Sequence, residues 1–397
     1  MREGLGPIIE RGVLLIGGDF QAVGVMRALA SEGIPCFLLA PERGIAVHSR
    51  HARRQARKYD LLDDPNAVDY LSNLAQREGL TGWVVFCVND ETIAFLAKKH
   101  EELAQTFVLA VPPWEIAQNF YEKDKAYALA ESCGISIPRQ YKADQLESII
   151  QAQPDYPLVL KPSFKKHYYE KTGNKAIRVN NEAELRREYA AMRKLIPGSQ
   201  ILAQEMIAGG TRNLFSYATL FDGERSVSGL AAARLRQHPM DFGHATTYAE
   251  QRDNPILEQL ATKFLRALKY RGVAEVEFML DERSGKYTFI EMNGRFWGWH
   301  VLTQVAGLNF PADLFHLMLG HEVKRPNPTV KDARWMRMIT DVPTVIREVV
   351  LGRMSLRREY LPTLTARKGF SVWSWSDPLP SIIEVLMAPY LWLKKGF

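Results

Sequence analysis

Glu275-Val276-Glu277-Phe278 and Glu291-Met292-Asn293-Gly294-Arg295 decide how this chain is read. Each stretch alternates polar and apolar residues, the period of a β-strand. Asp281–Lys286 lies between them with a Ser284-Gly285 turn signal, so the two stretches read as a hairpin. A turn centred near Ser284, without a bulge, sets Glu277 opposite Glu291 and Glu275 opposite Asn293. Glu277, Glu291, Asn293 and Arg295 then emerge on one face. Opposed Cβ atoms sit ~5 Å apart, and two carboxylates at that spacing repel unless a cation bridges them. Two Glu oxygens and an Asn carbonyl make a hard, all-oxygen set suited to Mg2+ or Mn2+, with phosphate oxygens and water completing the shell. The plain alternative is a solvated hairpin with alternating acids. Phe289, Met292, Phe296 and Trp297 argue instead that this strand is buried. No His or Cys stands nearby at ligand spacing, which disfavours zinc. Taken alone, a carboxylate pair also suits glycoside hydrolysis.

Upstream, Val13–Ile16 is a short apolar run ending in Gly17-Gly18. The spacing predicts a helix from about Ala22 to Ser31 and a strand over Pro35–Leu39, a β-α-β opening. Helices near Ala67–Arg77 and Thr92–His100 alternate with strands Trp83–Val88 and Phe107–Val111, and Pro112-Pro113 punctuates the end. These alternations predict a doubly wound parallel domain. The next segment reads as a helix around Glu115–Ser132, a strand Leu158–Lys161, a helix Ala183–Leu195 and a strand Ser199–Ile207. A hairpin follows, Leu214–Phe221 with Ser226–Ala233 around Asp222-Gly223, then a helix Pro255–Leu268. Gly17-Gly18-x5-Gly24 does not keep the G-x-G-x-x-G spacing of a dinucleotide site, although Glu42 could meet a ribose. A small substrate at this edge of the sheet is the better expectation.

The length, 397 residues, suggests two to three domains at about 150 residues each. A composition of 46% hydrophobic and 24% charged residues excludes disorder, collagen and coiled coil. Cys36, Cys87 and Cys133 are far apart, which argues against a disulfide framework and for a reducing, cytoplasmic setting. Neither an apolar run of about 18 residues nor a secretory signal is apparent, so a membrane-spanning or secreted protein is not expected. The net charge of +6 is uneven. Arg43, Arg50, Arg53, Arg54, Arg57 and Lys58 fall in one acid-free stretch, and residues 331–397 hold 11 basic against 6 acidic residues. These bases are not interleaved with aromatics on one element, so a nucleic-acid partner is not expected. Solvated basic loops, or a site for an anionic substrate, nucleotide or lipid head group, remain. Residues 380–397 combine apolar side chains with Trp392 and Lys394-Lys395, and Pro389 interrupts any helix. This tail is expected to pack on its own domain or on a dimer partner. The other reading is peripheral contact with an anionic membrane.

Lys161 ends an apolar strand, a place suited to a phosphate; Lys125 follows Asp124 on a helix; Gln204-Glu205-Met206-Ile207 forms a hinge before two glycines. In this order, with Glu277 and Glu291-x-Asn293-x-Arg295, the pieces resemble the ATP-grasp superfamily over about residues 115–325. Asn293-Gly-Arg295-Phe-Trp297-Gly and the loop Arg234-x-Arg236-Gln-x-Pro-x-Asp241-Phe-Gly243 are similar to its carboxylate–amine ligase branch, which includes D-aspartate ligase-type enzymes. The resemblance implies an α/β chain. A Rossmann-like parallel-sheet domain (1–113) would precede an ATP-grasp domain (114–328, lid about 135–205) and a basic, partly apolar extension (329–397). It implies an ADP-forming C–N ligase that activates a small-molecule or peptide carboxylate as an acyl phosphate for attack by an amine, with ATP and Mg2+. Lys125 and Lys161 would contact the phosphates, and Gln204, Glu205, Met206 and Ile207 would hold adenine through the backbone of Glu205 and Ile207. Glu277, Glu291 and Asn293 would hold Mg2+. Arg295 and Lys161 would be catalytic, and Arg234, Arg236 and Arg295 would grip the anionic substrate. Two departures stand out. The loop Ser163–Lys175, glycine-rich in the superfamily, has only Gly173 and carries Lys165, Lys166, His167 and Lys175; Thr211-Arg212-Asn213 occupies the place of a ribose-binding acid. The alternatives are a phosphotransferase or carboxylase, the latter weakened by the lack of a biotinyl-type domain in this sequence, and a non-catalytic nucleotide-binding scaffold. A homodimer is among the arrangements expected.

Overall fold

The computed structural model describes residues 11–389 except 42–43, 58–60, 62–63, 142–143, 164–167, 169–170, 241–242, 244, 324–327 and 365–367. Lys165, Lys166, His167, Asp241, Phe242 and the end of the tail, with Trp392, Lys394 and Lys395, therefore lie outside the described residues.

Val13–Ile16 (β1), Cys36–Ala40 (β2), Arg54–Arg57 (β3), Val84–Cys87 (β4) and Val108–Leu109 (β5) form the expected parallel sheet, in the order β3-β2-β1-β4-β5. Its helices are Phe20–Ser31 (α1), Ala67–Glu78 (α2), Asp90–Lys98 (α3) and His100–Ala104 (α4). β1 is an unbroken apolar run because both its faces are covered. Val13 and Leu15 share a core with Val23 and Met26 of α1, while Leu14 and Ile16 share one with Leu71 and Leu74 of α2. β3 was not expected: part of the basic run forms an edge strand. The Arg54 guanidinium lies 5.5 and 5.3 Å from the ring centroids of Phe37 and Trp83. Cys36, Cys87 and Cys133 are all free thiols.

The helix expected over Glu115–Ser132 is two, Trp114–Tyr121 (α5) and Lys123–Ser132 (α6), parted where Glu122 is extended. No Gly or Pro marks the break. It aims Tyr127 so that its hydroxyl donates to the Ile290 carbonyl at 3.0 Å. Gln140–Tyr141 (β6), Leu158–Pro162 (β7), Ile177–Val179 (β8) and Ile201–Glu205 (β9) form an antiparallel sheet, β6-β9-β7-β8. It is backed by Leu146–Gln151 (α7) and Glu182–Arg193 (α8) through Ile149, Leu185 and Met192.

The largest sheet contains Leu214–Phe221 (β10), Ser226–His238 (β11), Ala245–Arg252 (β12), Gly272–Leu280 (β13), Tyr287–Asn293 (β14), Arg334–Met336 (β15) and Lys368–Phe370 (β16). Its order is β14-β13-β10-β11-β12-β15-β16. Pro255–Ala267 (α9), Val301–Val305 (α10), Phe310–Met318 (α11), Met338–Val350 (α12) and Leu379–Leu386 (α13) complete the helices used below. β15 and β16 come from the C-terminal segment, so that segment extends the same sheet as the carboxylate hairpin. Among the described residues no helix is long and apolar enough to cross a membrane.

Glu277 pairs with Glu291 and Glu275 with Asn293, the register the alternation predicts. Toward the turn the register shifts by one residue, so that Phe278 faces Phe289 and Ile290 is the extra residue. The N-terminal glycines have packing reasons. Gly17 has φ +143°, and a Cβ there would lie 2.2 Å from Val88; a Cβ on Gly24 would lie 2.7 Å from His300. His300 is itself buried, its Nδ1 2.8 Å from the Trp297 carbonyl oxygen. Burial lowers its pKa to about 4, against the pull of that carbonyl. The unfolded chain takes up this proton below its ordinary 6.5, and the folded chain refuses it down to about 4. The contribution of His300 to stability is therefore complete above pH 6.5 and is lost as pH falls toward 4, on the order of 3 kcal/mol in all. Urea unfolding at neutral pH and at about pH 5 should show a smaller loss of stability on acidification in His300→Gln than in the native chain.

Candidate active site

A cavity of ≈ 510 Å³ lies between the four-stranded sheet and the large sheet, with the start of α1 at one end. Lys161, Lys175, Gln204, Glu205, Met206, Ile207, Arg234, Glu277, Glu291, Asn293 and Arg295 all line it. Lys125 and Arg236 do not.

The floor is the cavity face of β13 and β14. Asn293 Nδ2 donates to Glu275 Oε2 at 3.0 Å and to Glu277 Oε1 at 3.1 Å. The neighbouring positions on β10 are Ser216 and Ala218, paired with Glu277 and Glu275. Their small side chains let Arg234 reach across from β11, where its guanidinium ion-pairs with Glu277 and lies 3.9 Å from Glu275. Arg234 is further held by Nε donation to Thr246 Oγ1 at 2.6 Å. Burial opposes its charge, but Glu277 and Glu275 outweigh it and raise its pKa. Glu275 is the deepest acid, accepting from Ser216 Oγ at 3.0 Å and Trp299 Nε1 at 2.6 Å. Burial, then repulsion from Glu277, pushes its pKa up, and Arg234, Ser216 and Trp299 pull it back. Its place on this face follows from the same alternation that placed Glu277.

Arg295 makes a two-pronged bond to Asp90 at the start of α3, at 2.7 and 3.1 Å, and also donates to Asn293 Oδ1 at 3.3 Å. Burial opposes the guanidinium charge and Asp90 more than restores it. Nothing in the sequence near Asp90 pointed to this pairing, because it joins segments about two hundred residues apart. Opposite, Lys161 Nζ donates to the Tyr127 hydroxyl at 2.7 Å and lies 4.9 Å from that ring centroid. Since Tyr127 bonds to Ile290, this contact ties the four-stranded sheet to β14 across the cleft. Lys175 reaches the Gly243 carbonyl at 3.5 Å.

Lys125 turns to Glu122 at 2.7 Å and Gln118 at 2.5 Å; the basic side chain of α6 on the cavity wall is Lys123. The residues of the hinge line the cavity, and the turn of the carboxylate hairpin anchors it, since Arg283 pairs with Glu205 at 3.2 Å. The N–H groups of Glu205 and Met206 are taken by Arg139 and Pro157 carbonyls. Gln204 Nε2 is buried with no hydrogen-bond partner among the described residues. Thr211 borders the cavity, whereas Arg212 pairs with Glu359 and Asn213 with Glu282.

Arg236 is committed elsewhere. It binds both oxygens of buried Asp341 at 2.8 and 2.9 Å and stacks 4.0 Å from the Tyr248 ring centroid. A different arginine, Arg337, borders the cavity beside Asp19, Phe20 and Gln21. Its guanidinium lies 3.7 Å from the Phe20 ring centroid, and Nη2 donates to Glu384 at 2.8 Å. Its Nε and Nη1, with Trp297 Nε1, are buried and have no hydrogen-bond partner among the described residues. Unmade bonds of this kind are costly, so an anion at this end of the cavity would satisfy them.

No group of three or more His, Cys, Asp or Glu among the described residues forms a metal cage. Mg2+ does not require one: one or two carboxylates suffice when phosphates and water complete the shell. The carboxylates of Glu277 and Glu291 fit that need, and Asn293 would add its amide oxygen, which here accepts from Arg295. Arg234 occupies the cationic role beside Glu277 in this geometry.

Residues 237–325, which hold this hairpin, match the family model for the carbamoyl-phosphate synthase L chain, ATP binding domain. Acetyl-CoA carboxylase 1 of Oryza sativa subsp. japonica is 28% identical over 189 residues, 46% of this chain and 8% of the plant protein. The chain thus spans a small fraction of that relative's length. Among solved structures, an ADP complex of N5-carboxyaminoimidazole ribonucleotide synthetase is similar with a TM-score of 0.63 at 14% identity, covering 86% of this chain and 85% of that one. Biotin carboxylase from Campylobacter jejuni, in a β,γ-ATP complex, follows with 0.62 at 15%, covering 80% and 73%.

Breaking a buried pair by removing one partner typically costs about 3–5 kcal/mol. Asp341→Ala should therefore lower unfolding free energy by about that amount, read by chemical denaturation, because it strands Arg236 in the interior.

Proposed function

On the ATP-grasp fold that this chain carries, we propose an ADP-forming ligase that activates a carboxylate as an acyl phosphate for attack by an amine. The observation that supports it best is the β13–β14 register, which gathers Glu277, Glu291, Asn293 and, just beyond, Arg295 on one cavity wall. The hinge and Lys161 border the same cavity.

In this reading the adenine edge lies against Gln204–Ile207. With two hinge N–H groups already engaged, the Glu205 carbonyl and Ile207 amide are the backbone groups for it. Lys161, Lys175 and Lys123 surround the phosphates with positive charge. Mg2+, held by Glu277, Glu291 and Asn293, would supply charge that offsets what gathers on the phosphoryl oxygens. The substrate carboxylate oxygen attacks the γ-phosphorus and ADP departs. The amine then attacks the acyl carbon and phosphate leaves. Arg295, already oriented by Asp90, presents a planar fork suited to the acyl phosphate and the tetrahedral species after it. Arg337 takes the grip on the substrate anion that the sequence assigned to Arg236. Arg234, which ion-pairs with Glu277, is a second cationic side chain that would contact the substrate.

The likeness to carboxylases supports a second reading in which bicarbonate is the acid activated. The test is ADP release across a panel of carboxylates, with hydroxylamine as amine to trap a hydroxamate. Release with bicarbonate alone would favour the carboxylase, and AMP with pyrophosphate would exclude an acyl-phosphate route. Glu277→Gln should cut ADP release by about 100-fold or more. Arg337→Gln should raise KM for the carboxylate about tenfold and leave KM for ATP unchanged, the scale of one lost charged hydrogen bond.

A further inference from the structure

Two helices of the C-terminal segment are built inside out. A surface helix ordinarily turns its apolar stripe inward and its polar face to water. On α12, Asp341, Thr344 and Glu348 are buried, one helix face by spacing, with Val345 as the apolar residue among them, while Met338, Ile346 and Val350 are exposed. On α13, Ser381 and Glu384 are buried, while Leu379, Ile382, Val385 and Leu386 are exposed, the last two at 67% and 72%. Trp373 and Trp375 precede α13 with ring centroids 5.0 Å apart, and Trp375 is 85% exposed. Among the described residues, every exposed large apolar side chain except Ile256 lies between Met338 and Leu386.

This orientation is locked. Asp341 is held by Arg236 and by Thr247 Oγ1 at 2.7 Å, and Glu384 by Arg337. Turning either helix to bury its apolar face would strand a buried guanidinium, which is strongly destabilising.

Charge identifies what covers the apolar face. Between residues 338 and 389, Asp341, Glu348, Asp377 and Glu384 are buried, and Glu359 is paired with Arg212. The exposed charged side chains described there are Arg347, Arg353, Arg357 and Arg358. The outer surface of this segment is therefore apolar and positive. A symmetric contact between two copies of this patch would bring together two wholly basic sets of exposed charges with no exposed acid of the segment to answer them. An anionic bilayer satisfies both features: head groups pair with arginine, the boundary of the acyl region accepts Leu, Val and Ile, and tryptophan favours that interface. With no helix among the described residues long enough to cross, the segment lies on the surface.

We infer that the outer face of α12, α13 and the Trp373–Trp375 loop docks on the surface of an anionic lipid bilayer. This does not depend on the ligase reading. The test is co-sedimentation of the full chain with vesicles of phosphatidylcholine alone or mixed with phosphatidylglycerol. The expected result is pelleting with the mixed vesicles only, weakened by added salt. Replacing Val385 and Leu386 together with Glu should abolish pelleting. Each of Arg347→Gln, Arg353→Gln, Arg357→Gln and Arg358→Gln should lower vesicle affinity about fivefold. Thermal melts of the variants should match the native chain, since the altered side chains are exposed. Three results would overturn the inference: no pelleting with mixed vesicles, pelleting unchanged in the variants, or sedimentation-velocity evidence of a dimer that the apolar variants dissociate while vesicle binding is absent.

Discussion

The register between β13 and β14 is the constraint on which the site depends. It sets Glu277 against Glu291 and Glu275 against Asn293, concentrating negative charge where little water enters. Such a cluster persists only if the surroundings compensate it. Asn293 donates to two of the carboxylates, and Ser216 and Trp299 donate to the deepest. Arg234 crosses the gap left by small residues on β10. A one-residue slip would turn every one of these groups to the opposite face. The bulge is therefore confined to the turn side of Glu277, where it costs the site nothing.

Around that floor the cavity is assembled from segments far apart in the chain. Tyr127 couples α6 to β14 and carries Lys161 with it. Asp90 orients Arg295 from the parallel-sheet domain, and Phe20 stacks on Arg337 from the C-terminal segment. Each contact pairs a charged group with a partner that fixes its direction. At the end of the cavity beside Phe20, N–H groups of Arg337 and Trp297 are buried without a hydrogen-bond partner among the described residues.

The C-terminal segment has two surfaces with opposite logic. Its inner surface is polar and charge-paired, and through Arg236 and Arg337 it reaches the sheet and the cavity rim. Its outer surface is apolar and basic.

Local pattern alone determined much of this protein. Alternation placed the carboxylate hairpin and its register, because a period of two admits few pairings when one face is buried. Unbroken apolar runs between amphipathic helices specified the parallel sheet, since strands covered on both faces have no polar side to show. The hinge, Lys161 and Arg295 were legible by their order along the chain. Tertiary structure decided the rest. Lys125 and Lys123 sit two residues apart on one helix, and the break at Glu122, which no Gly or Pro announces, selects Lys123 for the cavity. Arg234 and Arg236 are two residues apart on one strand, but the register with β12 shifts between them, and Asp341, more than a hundred residues away, claims the second. Arg337 stands in a segment with no recognisable motif and enters the site through Phe20 and Glu384. A guanidinium can pair with any acid within reach, and reach is a property of the folded chain, not of the spacing between residues.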